Sequence, residues 1–69
     1  MKKRSVNIHG HQTSITLEDE FWQALKEEAS SENLSINALI AKIDDTRGSQ
    51  NLSSTIRLYI LKTLQQRLT

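Results

Sequence analysis

A single short strand that leads directly into a helix is the feature that most constrains how this chain can fold. Residues 12–17 alternate between two faces, one with Thr13, Ile15 and Leu17 and the other with Gln12, Ser14 and Thr16. No later segment of the sequence shows a comparable alternation. A lone strand leaves its backbone N–H and C=O groups unpaired, and an isolated two-stranded ribbon is marginal in water unless it packs on helices. The sequence therefore predicts that a second copy of the chain supplies an antiparallel partner strand.

The residues before this strand leave two interpretations open. Val6 and Ile8 also alternate with polar residues, but the phase of the alternation changes across His9, Gly10 and His11. This segment is either a second extended stretch or only an arm. We predict a basic arm at residues 1–11, a core at residues 12–46, and a loop with a C-terminal helix at residues 47–69.

The size of the chain makes association the expected source of its stability. A 69-residue domain has a core that supplies roughly 3–5 kcal/mol unless disulfides, a metal or oligomerisation help. The sequence contains no cysteine, so neither a disulfide nor a thiolate metal site is available. Its apolar runs are far shorter than the roughly 20 residues that cross a bilayer. We expect a cytoplasmic homodimer that does not interact with membranes.

Helical periodicity predicts two helices after the strand. The first begins around Leu17 or Glu18, where acidic residues complement the positive end of the helix dipole, and it ends at Asn33 in the left-handed conformation. The second has Ser35 as its N-cap and stops near Asp45. Their apolar stripes and the inner face of the strand form the predicted dimer core, which consists of Thr13, Ile15, Leu17, Phe21, Leu25, Leu39, Ile40 and Ile43.

A third helix follows the loop around Gly48, with Asn51 or Ser53 as its cap. It carries apolar residues at helical spacing and either seals the core or joins dimers to one another. Trp22 lies one position round from the stripe of the first helix, so we assign it to a dimer interface or to packing under the third helix.

Charge is segregated along the chain, although the net charge is only +1. Residues 1–17 contain three basic residues and no acid, residues 18–32 contain six acids and one lysine, and residues 57–67 contain three basic residues and no acid. A basic arm beside a ribbon suits contact with phosphates, whereas the acidic first helix is expected to point away from them.

The residue types needed for catalysis are not found at recognisable spacings. His9 and His11 lack an evident third metal ligand, the acids at residues 18–20 suit a helix start, and no glycine-rich phosphate loop is present. We therefore expect no enzymatic activity, no cofactor and no metal site.

Four blocks of sequence together carry a resemblance to a known family. They are GHQTSITLE at residues 10–18, FWQAL at 21–25, LSINALI at 34–40 and NLSS at 51–54. The chain resembles the ribbon-helix-helix domain, the dimeric β-ribbon class of bacterial and phage repressors, and in particular a short bacterial subfamily with a C-terminal extension. The resemblance implies a mostly α-helical intertwined homodimer, in which one short strand from each chain forms an intermolecular antiparallel ribbon, followed by a third helix.

The resemblance also implies a set of DNA contacts. Outward residues of the ribbon touch base edges in the family, and this role falls on Gln12, Ser14 and Thr16. The start of the second helix holds a phosphate, which falls on Ser35, Ile36 and Asn37. Basic residues on the ribbon itself are common in the family, and residues 12–17 contain none, so the remaining phosphate contacts are assigned to Lys2, Lys3 and Arg4 of the arm.

The sequence thus predicts a repressor-like transcriptional regulator that inserts a dimeric β-ribbon into the major groove of double-stranded DNA, as a dimer or as a tetramer on the operator. The alternative is a dimeric protein-interaction module, or an antitoxin-like protein, that has the same scaffold with little DNA binding of its own. In that case the C-terminal helix would bind a protein partner.

Overall fold

The N-terminal part of the chain forms a β-hairpin. A computed structural model describes residues 1–68, in which strand β1 (Lys2–Ile8) pairs antiparallel with strand β2 (His11–Leu17). The register runs from Lys2 opposite Leu17 to Ile8 opposite His11. His9 and Gly10 form the turn with φ angles of 52° and 81°. Positive φ at both central residues matches a type I′ turn, whose twist fits that of the flanking strands.

The chain therefore supplies both strands of its ribbon, and the prediction of an N-terminal arm with one strand per chain was wrong. The pairing expected between two chains lies within one. The physical reason is the alternation in the first segment, which places Val6 and Ile8 against the core with 5% and 7% of their surface exposed. The two-residue turn then accounts for the change of phase across His9 and Gly10.

Three helices follow the hairpin, α1 (Asp19–Ser31), α2 (Ile36–Asp44) and α3 (Leu52–Leu68), as the sequence predicted. Glu18 is the N-cap of α1 and makes no capping bond through its side chain. Asn33 has a φ of 58°, which confirms the left-handed residue at the end of α1. The Ser35 hydroxyl accepts a 3.0 Å hydrogen bond from the Ala38 amide, which confirms the cap of α2.

The cap of α3 is Asn51, so the structure decides between the two predicted candidates. Its Oδ1 accepts a hydrogen bond of 3.3 Å from the Ser54 amide. The hydroxyl of Ser53, the other candidate, accepts instead from the backbone amide of Thr16 in β2. The start of α3 is thereby fixed next to the hairpin.

One hydrophobic core lies between the inner face of the hairpin and the three helices. Its buried members are Val6, Ile8, Ile15, Leu17, Leu25, Ala29, Leu39, Ile40, Ile43, Ile56 and Ile60. Because α3 contributes two of them, this helix seals the core of a single chain. Among residues 1–68, no helix is both long enough and apolar enough to cross a bilayer.

Candidate nucleic-acid interface

The hairpin presents a polar face on the side opposite the core. Residues that lie opposite one another in an antiparallel pair project to the same face, so the register places six side chains together. These are Lys3, Ser5 and Asn7 from β1, paired with Thr16, Ser14 and Gln12 from β2. All are exposed except Thr16, which is half-buried. We call these six residues the polar ribbon face.

The predicted base contacts Gln12, Ser14 and Thr16 all lie on this face. Ser5 and Asn7 lie beside them and were not predicted as site residues, because their segment was assigned to an arm. The signal was present, since they alternate with the buried Val6 and Ile8.

The three basic residues at the N-terminus lie in different places. Lys3 belongs to the polar ribbon face, so the ribbon does carry a positive charge, contrary to the sequence-based inference. Lys2 is exposed at the end of the hairpin, opposite Leu17. Arg4 lies opposite Ile15 and therefore projects toward the helices.

Arg4 is held against α1 by two contacts. Its guanidinium carbon lies 4.4 Å from the centre of the Trp22 ring, and its Nη2 lies 3.4 Å from Oδ1 of Asp19. Stacking of a cation on an aromatic ring is favourable by roughly 0.5–2 kcal/mol. Trp22, which was assigned to an interface or to packing under α3, thus packs under β1.

The end of β2 is tied to α3 by backbone hydrogen bonds. The Thr16 amide donates to the Ser53 hydroxyl at 3.2 Å, and the Thr16 carbonyl accepts from Arg57 Nη2 at 3.2 Å. Arg57 Nε also donates to Glu18 Oε1 at 2.8 Å, and this hydrogen bond is the main reason that the pKa of Glu18 lies below its usual range. These bonds cover one end of an otherwise open strand edge and orient the polar ribbon face relative to the helices.

The N-terminus of α2 lies beside the opposite edge of the hairpin. The backbone amide of Asn7 donates to the side-chain Oδ1 of Asn37 at 3.4 Å, and this contact connects β1 to the first turn of α2. The backbone amides of Ile36 and Asn37 have no hydrogen-bond acceptor within residues 1–68. The Ser35 hydroxyl accepts only from the backbone amide of Ala38. Free amides and the positive end of a helix dipole attract anions. The predicted phosphate site is therefore adjacent to the polar ribbon face.

The tip of the hairpin contacts the end of α2 through His9. Its Nε2 lies 3.1 Å from Oδ1 of Asp45, and the neighbouring Asp44 pairs with Arg47 at 2.6 Å. His9, Asp44 and Asp45 bring one ligand atom each within 4.8 Å of one another. This cluster was not predicted from the sequence, because Asp44 and Asp45 are distant from His9 along the chain. Since Asp44 pairs with Arg47 and His9 is exposed, the arrangement is accounted for as a polar contact between the hairpin tip and the end of α2.

Most of the predicted dimer-core residues are buried within one chain. Ile15, Leu17, Leu25, Leu39, Ile40 and Ile43 are each at most 2% exposed, and Phe21 is half-buried. Thr13 is exposed in the single chain, so its assignment to a dimer core stays a prediction. It lies near the tip of the hairpin and lines an open cleft of about 420 Å³ together with Leu52, so no helix covers it.

A polar network connects the three helices. Glu32, just after α1, accepts hydrogen bonds from Lys42 of α2 at 2.8 Å and from the Tyr59 hydroxyl of α3 at 3.0 Å. These bonds lower the pKa of Glu32, and the same carboxylate raises the pKa of Lys42. Partial burial, together with the bond to Glu32, raises the pKa of Tyr59. The network holds in place the helices on which the hairpin rests.

Comparison with known proteins agrees with this architecture. A family model described as a ribbon-helix-helix domain matches residues 1–64, which include the hairpin, α1, α2 and most of α3. No curated protein and no solved structure gave a match. Because the matched region spans nearly the whole chain, the protein belongs to the ribbon-helix-helix domain family.

Proposed function

We propose that this protein is a sequence-specific DNA-binding transcriptional regulator, repressor-like in action, whose β-hairpin enters the major groove. Ribbon-helix-helix domains are commonly DNA-binding regulators or antitoxins, they typically form dimers, and the fold is regulatory and non-enzymatic. The observation that carries the proposal for this chain is the polar ribbon face.

The polar ribbon face has the chemistry needed to read base edges. The major groove, about 12 Å wide, admits a two-stranded ribbon. Gln12 and Asn7 lie opposite each other and both carry amides, which pair bidentately with adenine. Ser14 and Thr16 carry hydroxyls that accept or donate hydrogen bonds. A hairpin formed within one chain provides this surface without a strand from a second copy.

Phosphate contacts are available on both sides of the ribbon. Lys3 lies on the polar ribbon face itself. Lys2 is exposed at the end of the hairpin but shares the face of Leu17, and the backbone amides of Ile36 and Asn37 lie beside the tip of the hairpin. Arg4 is the weakest of the predicted phosphate contacts, because its guanidinium would have to leave Trp22 and Asp19. The proposed DNA-binding surface therefore consists of the polar ribbon face and the start of α2, and the exposed Lys2 at the end of the hairpin is a further candidate for a phosphate contact.

We further propose that the protein binds DNA as a homodimer, with a tetramer as the higher assembly on an operator. Two ribbons related by a twofold axis would read two half-sites, as in other dimeric regulators. A second candidate function, as an antitoxin or a protein-interaction module, is favoured by one observation, the exposed leucines of α3.

The experiment begins with selection of binding sequences from a random double-stranded DNA library, followed by measurement of affinity at increasing salt. We expect affinity to fall steeply with salt, and Lys3→Ala should reduce the log–log slope by about 0.9, the value for a single neutralised phosphate. Lys26→Ala is the matched control, because Lys26 is exposed on α1 outside the ribbon. Gln12→Ala should weaken binding to the selected sequence more than to random DNA.

Two outcomes would overturn the proposal. If no sequence is enriched, or if binding is insensitive to salt, the polar ribbon face does not contact DNA. If Lys3→Ala and Lys26→Ala have the same effect, the charge on the ribbon has no special role.

A further inference from the structure

The tip of the hairpin and the end of α2 bring three possible metal ligands together. His9, Asp44 and Asp45 each offer one ligand atom, and these atoms all lie within 4.8 Å of one another. Among residues 1–68, no other group of three or more histidine and acidic side chains is clustered in this way. The sequence predicted no metal site because His9 and His11 lacked an evident third ligand. The fold supplies two carboxylates that are distant from His9 along the chain.

The distance between His9 and Asp45 already matches the distance between two ligands of one ion. Histidine nitrogens and carboxylate oxygens bind zinc at about 2.0–2.2 Å, so neighbouring ligands of one ion lie roughly 3–3.5 Å apart. Nε2 of His9 lies 3.1 Å from Oδ1 of Asp45. When the imidazole is neutral and carries its proton on Nδ1, both atoms present lone pairs. An ion bound to both atoms then replaces the hydrogen bond that they form without it.

Asp44, the third possible ligand, is oriented by Arg47. Nε of Arg47 donates to Oδ1 of Asp44 at 2.6 Å. A carboxylate has two oxygens with about four lone-pair sites, so this hydrogen bond does not use up the capacity of Asp44. Carboxylates that bind metal ions are usually hydrogen-bonded by a neighbouring group that fixes their orientation. The contact with Arg47 is therefore compatible with a metal site and would support it.

The cluster is open to solvent. The side chains of His9 and Asp45 are 55% and 66% exposed, so an ion can reach them without any opening of the core. His9 and Asp44 line the open cleft of about 420 Å³ at the hairpin tip, and His11 lines the same cleft. Three protein ligands leave at least one coordination position of a zinc ion for water, which the cleft has room to hold.

His9 also occupies a backbone position that favours other residues. It is the first central residue of the hairpin turn, with a φ of 52°. Asn, Asp or Gly usually occupies this position of a type I′ turn. Asparagine would therefore serve the turn at least as well, and what histidine adds is an imidazole next to two carboxylates. Departures from local preference of this kind are expected at functional positions.

We propose that His9, Asp44 and Asp45 form a binding site for a divalent transition metal ion such as zinc. Imidazole suits zinc and its neighbours in the transition series, whereas magnesium and calcium prefer sites made of oxygen ligands alone. A bound ion would tie the turn of the hairpin to the end of α2. The ribbon would then be fixed at both ends, since Ser53 and Arg57 hold the other end. The site does not depend on the proposed DNA binding.

The first test is calorimetric titration of the full chain with zinc chloride. The wild type should bind one zinc ion per chain, and His9→Asn and Asp45→Asn should each raise the dissociation constant at least about tenfold. His9→Asn removes the imidazole but keeps a residue that the turn favours. Glu27→Gln, which changes an exposed acid of α1, should leave the affinity unchanged, and His11→Gln should have a smaller effect than His9→Asn. Magnesium chloride should bind far more weakly than zinc chloride.

Four results of this titration would overturn the proposal. They are the absence of zinc binding by the wild type, equal affinity of the wild type and His9→Asn, a larger effect of His11→Gln than of His9→Asn, and magnesium binding as tight as zinc binding.

The second test measures whether the ion binds the folded chain at this site. A ligand that binds only the folded state stabilises it, so the urea midpoint of the wild type should rise with zinc concentration. The rise should be absent in His9→Asn and unchanged in Glu27→Gln. Urea unfolding without zinc checks that each variant is folded before the ion is added. If zinc raises the midpoint of His9→Asn as much as that of the wild type, the ion binds elsewhere and the proposal is wrong.

Discussion

Replacement of Ile56 by alanine tests whether α3 is an integral part of the fold of a single chain. Ile56 is fully buried, between the hairpin and the other helices. The substitution removes three carbon atoms, which corresponds to about 2.4 kcal/mol at roughly 0.8 kcal/mol per buried methylene. The cavity that remains adds to this loss, and measured values for such truncations are about 2–5 kcal/mol. We expect the free energy of unfolding to decrease by about 3 kcal/mol.

This loss is large for a chain of this size. The core of a chain of this length supplies roughly 3–5 kcal/mol of folding free energy, so the variant should be only marginally stable. With a urea m-value of about 1 kcal/mol/M, the unfolding midpoint should decrease by about 3 M. The assay is urea unfolding followed by circular dichroism, at a protein concentration low enough that association does not contribute.

The matched control for Ile56 is Leu58, two residues further along the same helix. Leu58 is 44% exposed on the outer side of α3, so Leu58→Ala should change the free energy of unfolding of the monomer by less than about 0.5 kcal/mol. Similar small effects of the two substitutions would refute the reasoning. In that case α3 would not be part of the core of the single chain.

The caps, the hairpin turn and the ion pairs each have a testable effect on stability. Ser35→Ala should reduce stability by about 1 kcal/mol in urea unfolding, because the Ala38 amide then has no side-chain acceptor at the helix start. Gly10→Ala should cost roughly 1–2 kcal/mol, because its φ of 81° is unfavourable for a residue with a Cβ, and a variant as stable as the wild type would contradict the turn geometry. The pKa values of Glu18 and Glu32 are lowered by folding, so their contribution to stability is present above the unfolded value near 4.5 and is lost as the pH falls below it. Thermal unfolding between pH 7 and pH 3 should show this loss, and Glu18→Gln should make it smaller.

Much of the fold could be predicted because its signals are local. Helix caps depend on a few consecutive residues, so Ser35 and Asn33 could be assigned from the sequence, and alternation of side chains identified β2. The three residues that β2 contributes to the polar ribbon face could be placed on one face for the same reason, since Gln12, Ser14 and Thr16 are alternate residues of one strand.

The partner of β2 could not be predicted from a local signal alone. The choice between β1 and a strand of a second copy depends on whether residues 9 and 10 can form a two-residue turn with positive φ. Gly10 adopts that conformation without strain, but His9 is not one of the residues (Asn, Asp or Gly) that usually occupy the first position of a type I′ turn, so the sequence carries no strong turn signal there. The placement of Arg4 on Trp22 followed from this choice, because the strand register decides which face each residue of β1 occupies.

Formation of the ribbon within one chain changes what a dimer is needed for. When two chains each supply a strand, association and formation of the DNA-binding surface are one event. Here the hairpin, its turn and its core belong to one chain, and bonds from Ser53 and Arg57 to Thr16 fix the ribbon to α3. Association of two copies would therefore set the distance and angle between two ribbons that are already complete. Dimerisation would then determine the spacing of half-sites along DNA, while the sequence read within each half-site would be determined by one chain.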